Sequence, residues 1–138
     1  MNLLKYRDVM KSKPSPPQNP LAQNQGRWYY EVTATLISEE ARTEYIDWLF
    51  SGHVSAVCRW AEEAEVVALN ADTSGSDHPW RVKSVYWFTD QNAFDVYERE
   101  GAPTLRTEGI ALSHELGGIK FERDMGWSWT VSHREPLS

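Results

Sequence analysis

Residues 65–97 read EVVALNADTSGSDHPWRVKSVYWFTDQNAFDVY. Two strand patterns flank a turn, and a helix start follows the second. Residues 59–71 carry the first pattern, clearest over 65–69. Residues 72–79, DTSGSDHP, hold Gly75 and Pro79 and supply turn chemistry. In 80–89 the side chains alternate, with Trp80, Val82, Ser84, Tyr86 and Phe88 on one side and Arg81, Lys83, Val85 and Trp87 on the other. Asp90 then stands as an N-cap before a helix whose Ala93, Phe94 and Tyr97 share a face. A hairpin leading directly into a helix is the middle of the fold.

Working outward, residues 28–36 alternate in the same way. Trp28, Tyr30, Val32, Ala34 and Leu36 oppose Tyr29, Glu31, Thr33 and Thr35, which predicts a strand. Ser38 caps a following helix with Glu39 and Glu40 in its first turn, where carboxylates complement the helix dipole. Ala41, Tyr45, Trp48 and Leu49 follow helical spacing, and the helix is expected to run past Gly52 and His53 towards Val57. Glycine in a helix interior costs about 1 kcal/mol against alanine, so an irregularity is expected near Gly52. After the hairpin, Gly101-Ala102-Pro103 breaks the second helical stretch. A new helix then runs from Pro103 towards Leu116 with Leu105 and Leu112 inward, and Gly117-Gly118 ends it. Residues 119–131 form the last strand, with Phe121, Arg123, Met125, Trp127 and Trp129 on one parity.

The order is therefore β-α-β-β-α-β, the ferredoxin-like α+β arrangement: a four-stranded antiparallel sheet with its helices on one face. The other face is left open, and such a face is polar unless something packs on it. Neither parity reads as cleanly polar, since Tyr29 and Trp87 lie opposite their aromatic neighbours. A homodimer through the open sheet face is the expectation that follows.

The chain has 138 residues, one domain's worth, and 41% of them are hydrophobic. Seven tryptophans suit a core, an interface or a ligand pocket. The ordered domain is expected over residues 27–131. Residues 1–26 are expected to form a flexible proline-rich tail, and 132–138 a polar one. The formal charge of −6 argues against nucleic acid and against an anionic membrane as partners. No segment has the ~20 apolar residues of a membrane span. Cys58 is the only cysteine, so no intrachain disulfide is available, and a cytoplasmic location is expected.

Metal and nucleotide motifs fail on inspection, and no cofactor is expected. His114-Glu115-Leu116-Gly117-Gly118 opens like a zinc-protease helix, but Gly118 stands where a second histidine is required. The loop at 72–77 lacks the alternating acids and closing glutamate of a calcium site. Cys58 beside Arg59 reads as a buried thiol at a helix end.

Several local pieces resemble the dimeric α/β-barrel superfamily, and within it a bacterial family whose domain has no assigned function. They are Trp48-Leu49 with His53-Val54, Tyr86 and Phe88, Tyr97, Ala102-Pro103-Thr104-Leu105-Arg106, and Phe121 with Arg123. Related barrels include cofactor-free monooxygenases, haem-handling enzymes, isomerases and binding modules. The resemblance implies a homodimer and a pocket between helices and sheet. His53 is the candidate acid or base, since an imidazole titrates near neutrality. Trp48, Tyr86, Tyr97 and Arg106 are the candidate ligand-binding residues, phenols and a guanidinium that orient a carboxylate or enolate. Two functions follow. One is binding or transforming a small apolar or aromatic metabolite without a metal. The other is a non-catalytic interaction module that uses the open sheet face and the proline-rich leader.

Overall fold

A computed structural model describes Pro16, Gln18 and residues 25–70 and 79–131. Most of the proline-rich leader, the hairpin loop at 71–78 and the tail at 132–138 lie outside the described residues. So do the readings made of them, the tail boundaries and the rejected calcium loop included.

The strands are β1 (Arg27–Thr35), β2 (Glu63–Ala68), β3 (Arg81–Phe88) and β4 (Lys120–Ser128), paired antiparallel in the order β2-β3-β1-β4. The helices are α1 (Glu39–Trp48), a short α2 (Val54–Val57), α3 (Gln91–Glu100) and α4 (Ala102–Glu115). Registration puts Tyr30 between Tyr86 and Met125, Val32 between Ser84 and Arg123, and Ala34 between Val82 and Phe121. These rows form the helix-facing side of the sheet.

Caps define the helix starts. Ser38 Oγ accepts from the Ala41 N–H at 3.1 Å, and Asp90 Oδ1 from the Ala93 N–H at 2.8 Å. At the end of α4, Gly117 and Gly118 take φ of 83° and 107°, and the Gly118 N–H donates to the Ser113 carbonyl at 2.7 Å.

Between α1 and α2 the helix widens into a π-turn over Leu49–His53, where Gly52 has φ 157°. The expected irregularity is this turn, and it has a packing reason. At 3.6 residues per turn, four residues overshoot a full circle by about 40°. Ala41, Tyr45, Leu49, His53 and Val57 stand four apart, so a regular helix would carry the later ones progressively off the sheet. The wider turn takes back part of that drift. Leu49 and Val57 are both essentially inaccessible to solvent.

Several boundaries differ from expectation, most by a residue and those of β2 and the end of β4 by more. β2 begins at Glu63 rather than 59, because the Trp60 and Ala61 N–H groups turn back onto the Val57 carbonyl at 3.0 and 3.1 Å. β4 ends at Ser128 rather than 131.

The core divides into two clusters. One gathers Trp28, Tyr30, Tyr86, Phe88, Phe94 and Tyr97 under α3 and α4. The other gathers Leu36, Tyr45, Leu49, Val82, Leu112 and Leu116 under α1 and the end of α4.

The open face is mixed, neither cleanly polar nor cleanly apolar. Its centre is aromatic, with Tyr29 edge-on to Trp87 at 6.0 Å, but charges surround it. Glu31 accepts from the Tyr29 hydroxyl at 2.5 Å and pairs with Lys83 at 3.1 Å. Arg27 pairs with Glu63 at 2.9 Å and lies over the Trp87 ring. The alternation of β1 and β3 was visible; the long side chains that tie the face together across strands were not.

Candidate functional site

Where the two core clusters meet, between the sheet and the helices, lies a cavity of about 320 Å³. The sheet supplies Tyr30, Val32, Ser84, Tyr86, Phe121 and Arg123. Tyr45, Trp48 and His53 line it from the α1 side, and Tyr97, Leu105, Arg106, Gly109 and Ile110 from α3 and α4. All five residues singled out from the sequence, His53, Trp48, Tyr86, Tyr97 and Arg106, therefore line one cavity.

The π-turn sets the His53 imidazole against Trp48, with ring centroids 4.3 Å apart and planes 23° from parallel. Burial holds its pKa down at about 4, so the ring is neutral at neutral pH. Its Nδ1 has no hydrogen-bond partner among the described residues. The Tyr86 hydroxyl and Ser84 Oγ share that condition. Buried polar atoms are normally paired, so three side chains of one cavity lining with an unpartnered polar atom are unusual, although Ser84 lies near enough to the Tyr45 and Tyr86 hydroxyls to favour their ionised forms.

The phenols are held protonated. Burial pushes Tyr45 up to about 12, with the neighbouring Ser84 and the Arg123 charge pulling the other way. Burial likewise raises Tyr86, reinforced by the nearby Tyr45 and Tyr97. Tyr97 is raised for the same first reason. At neutral pH the walls thus present neutral donors.

Arg106 lines the cavity and also has an acidic partner. Its Nη2 donates to both Glu98 oxygens, at 2.7 and 2.8 Å. Burial opposes its charge, but the Glu98 hydrogen bond and charge outweigh that and raise its pKa. The other arginine, Arg123, donates from Nε to the Tyr30 hydroxyl at 3.0 Å and lies 5.9 Å from the Phe121 ring centroid.

Sequence reasoning did not single out Tyr30, Tyr45, Ser84 or Arg123 as site residues. A signal existed for the last two. Both are polar residues on the apolar, helix-facing parity of their strands, where a polar group needs a reason. Cys58 lies away from the cavity lining, and burial raises its thiol pKa. Among the described residues no group of three His, Cys, Asp or Glu could hold a metal ion, and no helix is long and apolar enough to cross a membrane.

No family model and no curated protein matches the chain. Solved structures do. A dimeric ferredoxin-like protein from an uncultured marine organism aligns with a TM-score of 0.59 at 13% identity, over 75% of this chain and 95% of that one. The chain has a ferredoxin-like fold. A second ferredoxin-like match is a monooxygenase from Streptomyces coelicolor, solved in complex with the ligand nanaomycin D. It aligns with a TM-score of 0.52 at 12% identity, over 86% of this chain and 96% of that one.

Proposed function

We propose that this ferredoxin-like chain binds a small aromatic metabolite in the cavity between its helices and its sheet. The observation that carries this reading is the cavity itself: about 320 Å³ between aromatic walls, with the polar side chains of His53, Ser84 and Tyr86 among its lining. Flat rings suit the Trp48 and tyrosine walls, and a carbonyl or hydroxyl on the ligand suits the unpaired donors. The second solved structure, a monooxygenase in complex with nanaomycin D, supports small-molecule binding as a use of this fold.

Any proton transfer by His53 or the phenols starts from their neutral forms. His53 at pKa about 4 is a weak base, and the raised phenols keep their protons. Reactions that fit are those in which negative charge develops on a substrate oxygen and the phenols stabilise it by hydrogen bonding. The partner we propose is a second copy of the chain, docked on the open sheet face around Tyr29 and Trp87. The dimeric state of the marine structure supports that arrangement. Sedimentation equilibrium tests it, and a strictly monomeric chain at high micromolar concentration overturns it.

Titration of bicyclic and tricyclic aromatics, followed by tryptophan fluorescence and melting temperature, tests the pocket. A ligand at a hundred times its Kd stabilises the fold by about 2.7 kcal/mol. Tyr86→Phe sharpens the test. An unpartnered buried hydroxyl costs about 1–3 kcal/mol, so this substitution is expected to raise the stability of the ligand-free protein by about 1 kcal/mol. It is also expected to weaken binding of ring ketones and phenols. No saturable binding by any of these aromatics overturns the reading.

A further inference from the structure

We propose that the cavity selects aromatic molecules carrying a carboxylate or an ionised phenol, and that Arg123 is the residue that pairs with that charge. The inference rests on the binding reading above and adds the charge of the ligand.

The chain carries −6 overall, yet the lining contains two arginines and no aspartate or glutamate. The Arg106 charge is answered by Glu98 through two short contacts. Arg123 is different: its two contacts, the Tyr30 hydroxyl and the Phe121 ring, are neutral, and it has no ion pair among the described residues. The two acids beside it in sequence, Glu122 and Asp124, belong to the opposite parity of β4 and face the open side of the sheet. Its cross-strand neighbour Val32 is uncharged. Among the described residues, one positive charge at the cavity has no ion-pair partner.

Geometry gives that charge a use. Nε is committed to Tyr30, which fixes the guanidinium plane and leaves the two Nη groups to form the fork that matches a carboxylate. The residue sits on an edge strand and is exposed, so the charged end of a ligand meets it without the desolvation cost of a deep ion pair. The aromatic rings of the same ligand lie inward, against Tyr45 and Trp48.

The test uses the full chain and two isosteric probes, 2-naphthoate and 2-naphthamide, titrated by tryptophan fluorescence. The wild type is expected to bind the acid at least tenfold more tightly than the amide. Arg123→Met is expected to abolish that preference while leaving amide affinity within twofold, and Arg123→Lys to restore part of it. Equal affinity of the wild type for the two probes overturns the inference and leaves the binding reading standing. An equal loss for both probes in Arg123→Met also overturns it, because the side chain then serves the cavity wall and not the charge. Binding of neither probe overturns the inference together with the reading on which it rests.

Discussion

Phe88→Ala is expected to lower unfolding free energy by about 3–5 kcal/mol. Phe88 is 0% exposed and stands on β3 where the sheet meets α3. It packs edge-on to Phe94 at 5.3 Å and tilted on Tyr97 at 5.5 Å. Truncation therefore removes a whole ring and also two aromatic pairs, each worth about 0.5–1.5 kcal/mol beyond area. The backbone around it is held on both sides, by Trp28 across the ladder and by α3 above, so little collapse into the void is available. Urea unfolding monitored by circular dichroism measures the loss, with Met125→Ala as a comparison. Met125 is 50% exposed, and its truncation is expected to fall within about 0.5 kcal/mol of the wild type. A cost below about 1 kcal/mol for Phe88→Ala would show that the ring does not occupy the centre of this core.

The second large effect is a dependence on acid. His53 has a folded pKa of about 4, lowered by burial, against 6.5 when the chain is unfolded. Between those values the unfolded chain takes up a proton that the folded chain refuses. Stability from this group is thus fully present above pH 6.5 and is lost as the pH falls towards 4. At 1.36 kcal/mol per pKa unit the full loss is on the order of 3 kcal/mol, most of it complete by pH 4.5. Carboxylates titrate in the same range, so the clean observable is a difference. The gap in unfolding free energy between pH 7 and pH 4.5 is expected to be smaller in His53→Asn than in the wild type by about 2 kcal/mol. Identical pH profiles for the two proteins would mean that the imidazole is solvated in the folded chain.

Much of the fold could be read from alternation and caps. The β1 parity from Trp28 to Leu36, the β3 parity from Trp80 to Phe88, and the caps Ser38 and Asp90 each report a local interaction. A local interaction leaves its mark within a few residues. The start of β2 was misplaced for the complementary reason. Residues 59–61 have a strand-compatible composition, but their N–H groups turn back onto the Ala56 and Val57 carbonyls, a choice made by the helix before them, and only at Glu62 does the backbone reach across to the Trp87 carbonyl of β3. The site was legible in part. Aromatic and titratable residues on helix-facing positions pointed to Trp48, His53, Tyr86 and Tyr97, and all line the cavity. The roles of the two arginines could not be separated from sequence. Glu98 and Arg106 lie on different helices, joined through the break at Gly101, and only the angle of that break brings them into contact. Arg123 meets Tyr30 across a β1–β4 ladder that closes 93 residues of chain.

The extra residue in the helix between Leu49 and His53 has a consequence for how such a site is re-spaced. Without Gly52 the helix would be regular, and Val57 would fall seven places after Leu49, still on the sheet side by the 3.6-residue period. His53 would then stand three places after Leu49, on the same helix face that the wider turn now gives it. A one-codon difference at this point is therefore absorbed locally, with the imidazole and the hydrophobic face both kept in register. Length variation in this short stretch is thus a route by which a ferredoxin-like scaffold re-spaces the residues of its pocket with its core intact.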